Sequence, residues 1–336
     1  MLEIIYNDAN RVINSLDFSK LKDKKVLITG STGLIGLHIV ASLVELKKKY
    51  NLEIYCWINS SIDKKINSLF ENCNIIKGDL TNAKFVENIN DKFDIIIHSA
   101  GYAQPQKFTE NKLNTIRLNT EAIINLFNLL NKNGTFVFAS TSEIYSGLSK
   151  ENILESEIGT TTPDHPRACY IESKRCGETI CHAFKDKGFD VKIARISLAY
   201  GPGTRLNDTR VMHNIIDKAL LDGQVTLLDS GSSIRTYCYV SDVVEMLWNI
   251  TLHGKEIVYN IGGISKISIK ELANNISTKL NANLTIPEND NQGLSGNPKL
   301  VNIGLEKYMK EFNKNNFVGI DDGIKNTIDW QKYNLQ

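Results

Sequence analysis

Paired cysteines are absent from this sequence. The six cysteines lie at positions 56, 73, 169, 176, 181 and 238, and they form no CxxC pair and nothing like a zinc comb. Isolated cysteines of this kind are typical of buried, reduced thiols in a cytosolic protein. We therefore expect a cytoplasmic protein without a metal site.

An excess of charge of either sign is absent as well. Lys and Arg number 39 and Asp and Glu number 38, so the formal net charge is +1. A nucleic-acid coat or an anionic-membrane binder carries a clear basic excess, so we expect neither partner. Charged residues make up 23% and apolar residues 42% of the chain, which excludes wholesale disorder.

A run of about 20 predominantly apolar residues, the length that spans a bilayer, is also missing. The most membrane-like stretch, 26–46, is interrupted by turn residues around Gly30 and Gly33. The first residues of the chain lack the cationic start and the apolar core of a signal peptide. The sequence therefore predicts no membrane contact, and it assigns 26–46 to a buried strand, a loop and a helix.

Strand-like apolar runs and helix-length segments do alternate regularly up to residue 196. Such alternation predicts an α/β fold, a Rossmann doubly wound parallel sheet that helices cover on both faces. The predicted strands are 25–29, 54–57, 74–76, 94–98, 135–139 and 191–196, and the predicted helices are 34–48, 62–70, 82–91, 110–132 and 167–187.

Beyond residue 197 the elements become shorter and turns become more frequent. A chain of 336 residues suits one large domain with a smaller partner domain. We therefore predict an N-terminal helical extension (1–22), a dinucleotide-binding Rossmann domain (23–197) and a smaller mixed α/β C-terminal substrate lobe (198–336). The last of these is expected to return strands and helices to the first domain.

A glycine-rich turn between the first predicted strand and its helix predicts where a dinucleotide binds. Its glycines permit a tight turn and let backbone amides approach a pyrophosphate, which the helix N-terminus then faces. We predict that every residue of the turn binds the cofactor. The turn consists of Gly30, Ser31, Thr32, Gly33, Leu34, Ile35 and Gly36.

Tyr170 and Lys174 form a YxxxK pair on one face of a predicted helix. The Lys174 ammonium is expected to stabilise the phenolate and so to lower the pKa of Tyr170 from about 10. Tyr170 can then exchange a proton with a hydroxyl or carbonyl oxygen while a nicotinamide exchanges a hydride at carbon. Because both residues are present, an enzyme is favoured over a non-catalytic cofactor-binding protein or a scaffold.

The order of these motifs resembles the extended short-chain dehydrogenases, the NAD-dependent epimerase/dehydratase family that acts on nucleotide sugars. The resemblance implies that Thr141 bonds the reacting oxygen and that Glu143 is a working carboxylate. The implied catalytic residues are therefore Thr141, Glu143, Tyr170 and Lys174.

The same resemblance implies that residues 79–80 contact the adenine and that residues 99–101 contact the nicotinamide ribose. It also implies a role for Asn119, in the helix that follows. It also implies a homodimer formed through the two helices predicted at 110–132 and 167–187. The implied cofactor contacts are Asp79, Leu80, Ser99, Ala100, Gly101 and Asn119, together with Tyr170 and Lys174.

The end of the second predicted strand bears on the choice of cofactor. NAD enzymes usually place an acid there, and NADP enzymes often place an Arg. This chain has Asn59 and Ser60 instead, and both can donate hydrogen bonds to a 2′-phosphate. We predict that both bind the cofactor, which is NAD or NADP, and slightly favour NADP.

Several segments resemble the UDP-glucuronate decarboxylase subgroup in particular. They are 140–145, 166–175, 207–211 and 231–237. In that subgroup the Arg at position 167 meets the substrate carboxylate, 207–211 lies next to the nucleotide base, and the Arg at 235 grips the diphosphate. The substrate-binding residues predicted here are Tyr102, Arg167, Asn207, Arg210, Asn214 and Arg235.

Two departures from that subgroup are the missing acid near the ribose and Leu198, which stands where the decarboxylases have Asn. We therefore expect hydride transfer at C4 of a dTDP- or UDP-hexose, and first a dTDP-4-dehydro-6-deoxyglucose 4-reductase of surface-polysaccharide (O-antigen or capsule) biosynthesis. A redox-neutral UDP-glucuronate decarboxylase that retains NAD is the alternative, followed by a C4 epimerase or a 4,6-dehydratase. The dehydratase is disfavoured because Ser142 replaces its proton-donating Asp.

Overall fold

The computed structural model describes residues 2–287 and 300–336. Within them the strands are β1 (Lys25–Thr29), β2 (Glu53–Ile58), β3 (Asn74–Lys77), β4 (Phe93–His98), β5 (Leu130–Thr141), β6 (Asp190–Ile196), β7 (Ala199–Tyr200), β8 (Gln224–Thr226), β9 (Ile234–Tyr239), β10 (Val258–Ile261), β11 (Ser265–Ser268), β12 (Asn283–Thr285) and β13 (Leu300–Val301). The helices are α1 (Leu2–Ile13), α2 (Leu34–Tyr50), α3 (Ala83–Glu87), α4 (Pro105–Glu110), α5 (Lys112–Asn119), α6 (Glu121–Phe127), α7 (Ala168–Asp186), α8 (Val211–Leu221), α9 (Val240–His253), α10 (Ile269–Leu280), α11 (Glu306–Phe312) and α12 (Ile320–Leu335).

The central sheet has the strand order β10-β6-β5-β4-β1-β2-β3, and each of its pairings is parallel. The predicted Rossmann doubly wound sheet is therefore confirmed. The chain proceeds outwards from β1 to β2 and β3 on one side, and from β4 to β5 and β6 on the other. Between β1 and β4 the order reverses, and ligands of such sheets bind at the carboxyl ends of the strands at that point.

Burial on both faces explains why the strands are continuously apolar. Val26, Leu27 and Ile28 of β1 have no exposed surface. Val26 and Ile28 belong to the core under α2 and α9, whereas Leu27 belongs to the core under α6 and α7. Since successive side chains of a strand point to opposite faces, β1 supplies both cores.

Three predicted helices differ from the structure. The segment predicted as one helix at 110–132 is broken into α5 and α6, because Thr120 between them has φ −131° and ψ −78°. Its end is already β5, where Leu130 is buried. The helix predicted at 62–70 is a single 3-10 turn over Asn67–Phe70, and the one predicted at 82–91 shortens to α3.

After β6 the chain crosses into a second sheet, in which β9 pairs with β7, β11 and β13. β10 then returns to the central sheet beside β6. The N-terminal α1 packs on α2 and α9, where Arg11 donates to Asp242 at 2.9 Å and the Tyr239 hydroxyl donates to Asp8 at 2.9 Å. The boundaries at 22/23 and 197/198 stay predictions.

Among the described residues, no helix combines the length and the apolar character needed to cross a membrane.

Gly36 sets how closely α2 approaches the turn before it. A Cβ at Gly36 would lie 2.2 Å from the Gly30 carbonyl oxygen and 2.8 Å from the Ser31 Cα. Because these are backbone atoms, we expect Gly36→Ala to shift α2 and to lower the free energy of unfolding by about 1–3 kcal/mol, measured by urea denaturation. Gly101→Ala is the control, since its Cβ would meet only Asn119 Oδ1, at 4.0 Å. Equal losses in the two variants would contradict this account of the turn.

Candidate active site

A cleft of about 1560 Å³ is lined by residues of both sheets, at the carboxyl ends of the central strands. Most of the predicted site residues line it. They are Gly30, Thr32, Gly33, Leu34, Ile35, Gly36, Asn59, Ser60, Asp79, Leu80, Ser99, Ala100, Gly101, Tyr102, Thr141, Glu143, Arg167, Tyr170, Lys174, Arg210 and Arg235.

Four predicted site residues do not line the cleft. Ser31 is buried, and its hydroxyl donates to a backbone carbonyl of β2. Asn119 is buried as well, and its Nδ2 donates to Ser173 Oγ on α7 at 2.9 Å, so it joins α5 to α7. Asn207 is exposed with φ 60°, and Asn214 is half-buried on α8.

The glycine turn fits a dinucleotide pyrophosphate. Gly30 has φ 70°, and a Cβ there would lie 2.7 Å from the backbone nitrogen of Ala100. Gly33 precedes α2 directly, so the first amides of α2 have no partner within the helix and can donate to an anion. Residues 30–36 would hold the pyrophosphate, and a bound nicotinamide dinucleotide supplies the hydride acceptor and donor.

Arg205 is a cleft residue that sequence reasoning missed. Its Nη2 donates to Thr32 Oγ1 in the glycine turn at 2.9 Å. The segment that carries it is fixed on α2, where His38 Nε2 donates to the Pro202 carbonyl at 2.9 Å. An anion at the glycine turn would therefore meet a guanidinium from a distant part of the chain. No local motif around Arg205 signals this contact.

Thr141, Tyr170 and Lys174 meet in the middle of the cleft. Thr141 ends β5, and the other two lie on one face of α7. Lys174 Nζ donates to the Ala139 carbonyl at 2.6 Å and lies 5.9 Å from the centre of the Tyr170 ring. The Tyr170 ring also stacks on Phe108, with the ring centres 4.7 Å apart and the planes 4° from parallel. Phe108, which the sequence analysis missed, thus fixes the orientation of the tyrosine.

Burial decides the proton affinities of these groups. It raises the pKa of Tyr170 to about 12, and the Glu143 carboxylate adds to that rise while a hydrogen bond with Thr141 opposes it. Burial also lowers the pKa of Lys174 to about 7. The pKa of Tyr170 therefore shifts in the direction opposite to the expected lowering, because burial destabilises the phenolate more than the nearby Arg167 and Arg210 stabilise it.

Three arginines and a glutamate line the outer part of the cleft. Arg167 donates to Glu143 in an ion pair; burial raises the pKa of Glu143, and Arg167 opposes that rise. Burial lowers the pKa of Arg235, and repulsion from nearby Arg167 lowers it further. Arg210 is held by both carboxylate oxygens of Asp208. Guanidinium groups gathered in this way suit a diphosphate or a carboxylate.

A buried hydrogen-bond network behind the cleft holds the end of β5. Arg195 on β6 donates to both carboxylate oxygens of Glu178 on α7, and the Ser140 hydroxyl donates to the same carboxylate. Arg195 also donates to the Tyr145 hydroxyl, which in turn donates to Asn260 on β10. The network joins three strands to α7 and so fixes the distance between β5 and the helix with the YxxxK pair.

The fold and the cleft together define a class: a dinucleotide-binding protein equipped for proton and hydride transfer. The family model described as "NAD dependent epimerase/dehydratase family" matches residues 26–262. The chain belongs to this family of enzymes, as its motifs implied.

The similar proteins include both a named relative and solved structures. UDP-glucuronic acid decarboxylase 1 of Xenopus tropicalis is 32% identical over 261 residues, which cover 76% of this chain and 60% of the relative. This chain therefore spans about three fifths of that relative's length. An epimerase of Methanothermobacter thermautotrophicus has a TM-score of 0.82 at 19% identity and shows the fold, with 99% of this chain and 96% of that one covered.

The enzyme WbmF of Bordetella bronchiseptica, solved in complex with NAD+, has a TM-score of 0.74 at 25% identity, with 94% of this chain and 95% of that chain covered. The name of the Xenopus relative supports the resemblance to the decarboxylase subgroup. The comparisons do not support the dTDP-sugar reductase that was expected first, nor the slight preference for NADP.

We expect Tyr170→Phe to lower kcat with a nucleotide-sugar substrate by about 100-fold or more, because phenylalanine cannot transfer a proton. Its ring can still stack on Phe108, so binding of NAD+, measured by fluorescence titration, should be retained. Tyr55→Phe is the matched control, since its hydroxyl lies outside the cleft on β2 and contacts Glu53 at 3.2 Å. Undiminished turnover by Tyr170→Phe would refute its role as the proton-transfer residue.

Proposed function

We propose that the protein is an NAD-dependent enzyme that transfers a hydride at C4 of a pyrimidine-diphosphate sugar. One observation carries this proposal: Thr141, Tyr170 and Lys174 converge in a cleft that continues from the glycine turn to three arginines. If the dinucleotide binds at the glycine turn and the sugar diphosphate binds at the arginines, the sugar lies between them, next to Tyr170.

In this proposal Tyr170 first gives up its own phenolic proton to solvent, and the phenolate then accepts the proton of the C4 hydroxyl as the hydride leaves the same carbon. Thr141 at the end of β5 donates a hydrogen bond to that oxygen. Phe108 stacks on the tyrosine ring and fixes its orientation. Lys174 donates a hydrogen bond to the Ala139 carbonyl and lies next to the tyrosine on the same face of α7. Arg235 and Arg210 would bind the diphosphate.

Decarboxylation of UDP-glucuronate is the specific reaction that we propose first. Oxidation at C4 creates a ketone, so that the C6 carboxylate becomes the carboxylate of a β-keto acid. The bond between C5 and C6 then breaks, carbon dioxide leaves, C5 gains a proton, and return of the hydride to C4 gives a UDP-pentose without net oxidation. Arg167 lines the cleft and would bind the carboxylate in place of Glu143. The name of the Xenopus relative supports this choice.

Reduction of a dTDP-4-dehydro-6-deoxyhexose is the second candidate, and the end of β2 favours it. Asn59 and Ser60 line the cleft there, and neither is the carboxylate that repels a 2′-phosphate. Such a reductase would consume one NADPH per sugar, and it would suit the synthesis of a surface polysaccharide.

A single assay separates the two reactions. With UDP-glucuronate and catalytic NAD+, we expect a UDP-pentose and carbon dioxide, with no lasting change in absorbance at 340 nm. Arg167→Ala should lower kcat/KM for UDP-glucuronate by about 100-fold, because truncating one partner of a charged pair costs about 2–5 kcal/mol. Stoichiometric loss of NADPH with dTDP-4-dehydro-6-deoxyglucose, and no product from UDP-glucuronate, would contradict decarboxylation. It would show that the enzyme catalyses the reduction instead.

We also propose that two copies of the chain associate through α5, α6 and α7. Leu113, Ile116 and Ile124 on α5 and α6 are 72%, 39% and 45% exposed. A second copy would cover this apolar row, because a two-fold interface pairs the same surface patch on both subunits.

Leu113→Asp with Ile124→Asp should therefore convert a dimer into a monomer, as measured by light scattering after size exclusion. Burying two unpaired carboxylates costs more than a standard interface tolerates. Leu221→Asp on α8, where the leucine is 63% exposed, is the matched control and should leave the dimer intact. A wild-type monomer, or dissociation by all three changes alike, would contradict this interface.

A further inference from the structure

The loop that follows β2 forms one wall of the cleft at its cofactor end. It covers residues 59–66, and its first two residues, Asn59 and Ser60, line the cleft. No helix or strand runs through the loop, and only its last residue, Ile66, is buried. A segment with so few buried contacts opens at a low cost in free energy unless another contact holds it. The contact that holds this loop therefore bears on how the cleft keeps a ligand.

Lys65 fixes the end of the loop to the last turn of α12. Its Nζ donates to the carbonyl of Tyr333 at 3.0 Å and to the carbonyl of Asn334 at 2.9 Å, and it lies 5.0 Å from the centre of the Tyr333 ring. The last carbonyls of a helix lack the N–H groups of a further turn and are favourably placed for a cation. The Lys65 ammonium therefore meets acceptors that the end of a helix leaves available.

The same turn of α12 is also bonded to a second segment that lines the cleft. Trp330 Nε1 donates to the Thr204 carbonyl at 2.8 Å, and Asn334 Nδ2 donates to the same oxygen at 3.4 Å. The next residue, Arg205, lines the cleft and donates to a threonine of the glycine turn at 2.9 Å. We call the turn 330–334 the α12 clamp, because it joins the loop after β2 to the segment that reaches the glycine turn.

The packing of α12 does not depend on Lys65. Ile324, Ile328 and Trp330 are each no more than 4% exposed, and they place the helix in the core. Lys65 is only half-buried, and the net contribution of such a hydrogen bond to the stability of the whole fold is modest. The contact therefore fixes the loop on the helix rather than the helix on the core.

We propose that Lys65 is a positioning residue, which through the α12 clamp keeps the loop after β2 on a bound dinucleotide and slows the release of that dinucleotide. A dinucleotide at the glycine turn extends along the end of the second strand in folds of this kind. It would leave only when the wall formed by Asn59 and Ser60 moves. A reaction that returns the hydride to the sugar needs no exchange of cofactor, so slow release suits it. This inference rests on the proposed function only in requiring that the dinucleotide binds at the glycine turn.

The rate at which the cofactor leaves tests this role. Protein loaded with NADH is mixed with excess NAD+ in a stopped-flow instrument, and the fluorescence of bound NADH is followed; the NADPH and NADP+ pair is used if it binds more tightly. Lys65→Ala should raise the dissociation rate constant about tenfold, because hydrogen bonds from a charged donor are lost and such changes act mainly on dissociation. Lys65→Arg keeps a cationic donor and should stay within about threefold of wild type.

Two controls separate positioning from a general loosening of the fold. Lys64→Ala removes an exposed lysine next to Lys65 and should leave the dissociation rate constant unchanged. The affinity for UDP, measured by calorimetry at saturating NAD+, should be the same in wild type and in Lys65→Ala, because the proposed function puts the diphosphate at the arginines. A purely structural role of Lys65 would weaken the binding of both ligands.

The route through α12 has a test of its own. Tyr333→Leu removes the ring beside the Lys65 ammonium and should raise the dissociation rate constant about twofold to threefold, because a half-exposed cation–π contact is modest. In the Lys65→Ala background the same change should have no effect, since the ring would act only through Lys65. An equal effect of Tyr333→Leu in both backgrounds would show that Lys65 does not act through the α12 clamp.

The possible failures are distinguishable. If NADH leaves Lys65→Ala no faster than Lys64→Ala, if Lys65→Arg is as fast as Lys65→Ala, or if the affinity for UDP falls in the same proportion, Lys65 does not position the cofactor, and the proposed function is untouched. If wild type binds neither NADH nor NADPH, the proposed function fails together with this inference.

Discussion

The buried ion pair between Glu178 and Arg195 is the contact on which the site depends. Both side chains are less than one-tenth exposed, and two of their atoms approach to 2.7 Å. Such a pair contributes little net stability against an apolar replacement, but the loss of one partner leaves a buried charge. Because Glu178 lies on α7 and Arg195 on β6, the pair fixes the helix that carries Tyr170 and Lys174 relative to the sheet edge that carries Thr141.

Loss of water then sets the chemistry of the groups so placed. Burial raises the pKa of Tyr170 to about 12 and lowers that of Lys174 to about 7, so both favour their neutral forms more than they would in water. A charge that a cofactor or substrate brings into the cleft therefore interacts strongly with Tyr170 and Lys174, because solvent screens these buried groups only weakly. The glutamate and arginine at the cleft, Glu143 and Arg167, already neutralise each other.

The segment between β6 and α8 joins the two halves of the cleft. It begins at Leu198, whose φ is 43°, is fixed to α2 through Pro202 and His38, and brings Arg205 to the glycine turn. Trp330 on α12 also donates to the carbonyl of Thr204 in this segment, at 2.8 Å. One short stretch of chain therefore joins the glycine turn, the wall of the cleft and the C-terminal helix.

Local patterns in the sequence were enough to predict the central sheet, the glycine turn, the YxxxK pair and the family, because each depends on periodicity or on residues a few positions apart. Tertiary structure alone decided the break of the helix predicted at 110–132, the stacking of Phe108 on Tyr170, the approach of Arg205 to Thr32 and the left-handed conformation of Leu198. It also reversed the expected pKa shift of Tyr170. These features depend on contacts between segments far apart in the chain and on the loss of water when they pack, which no local pattern records.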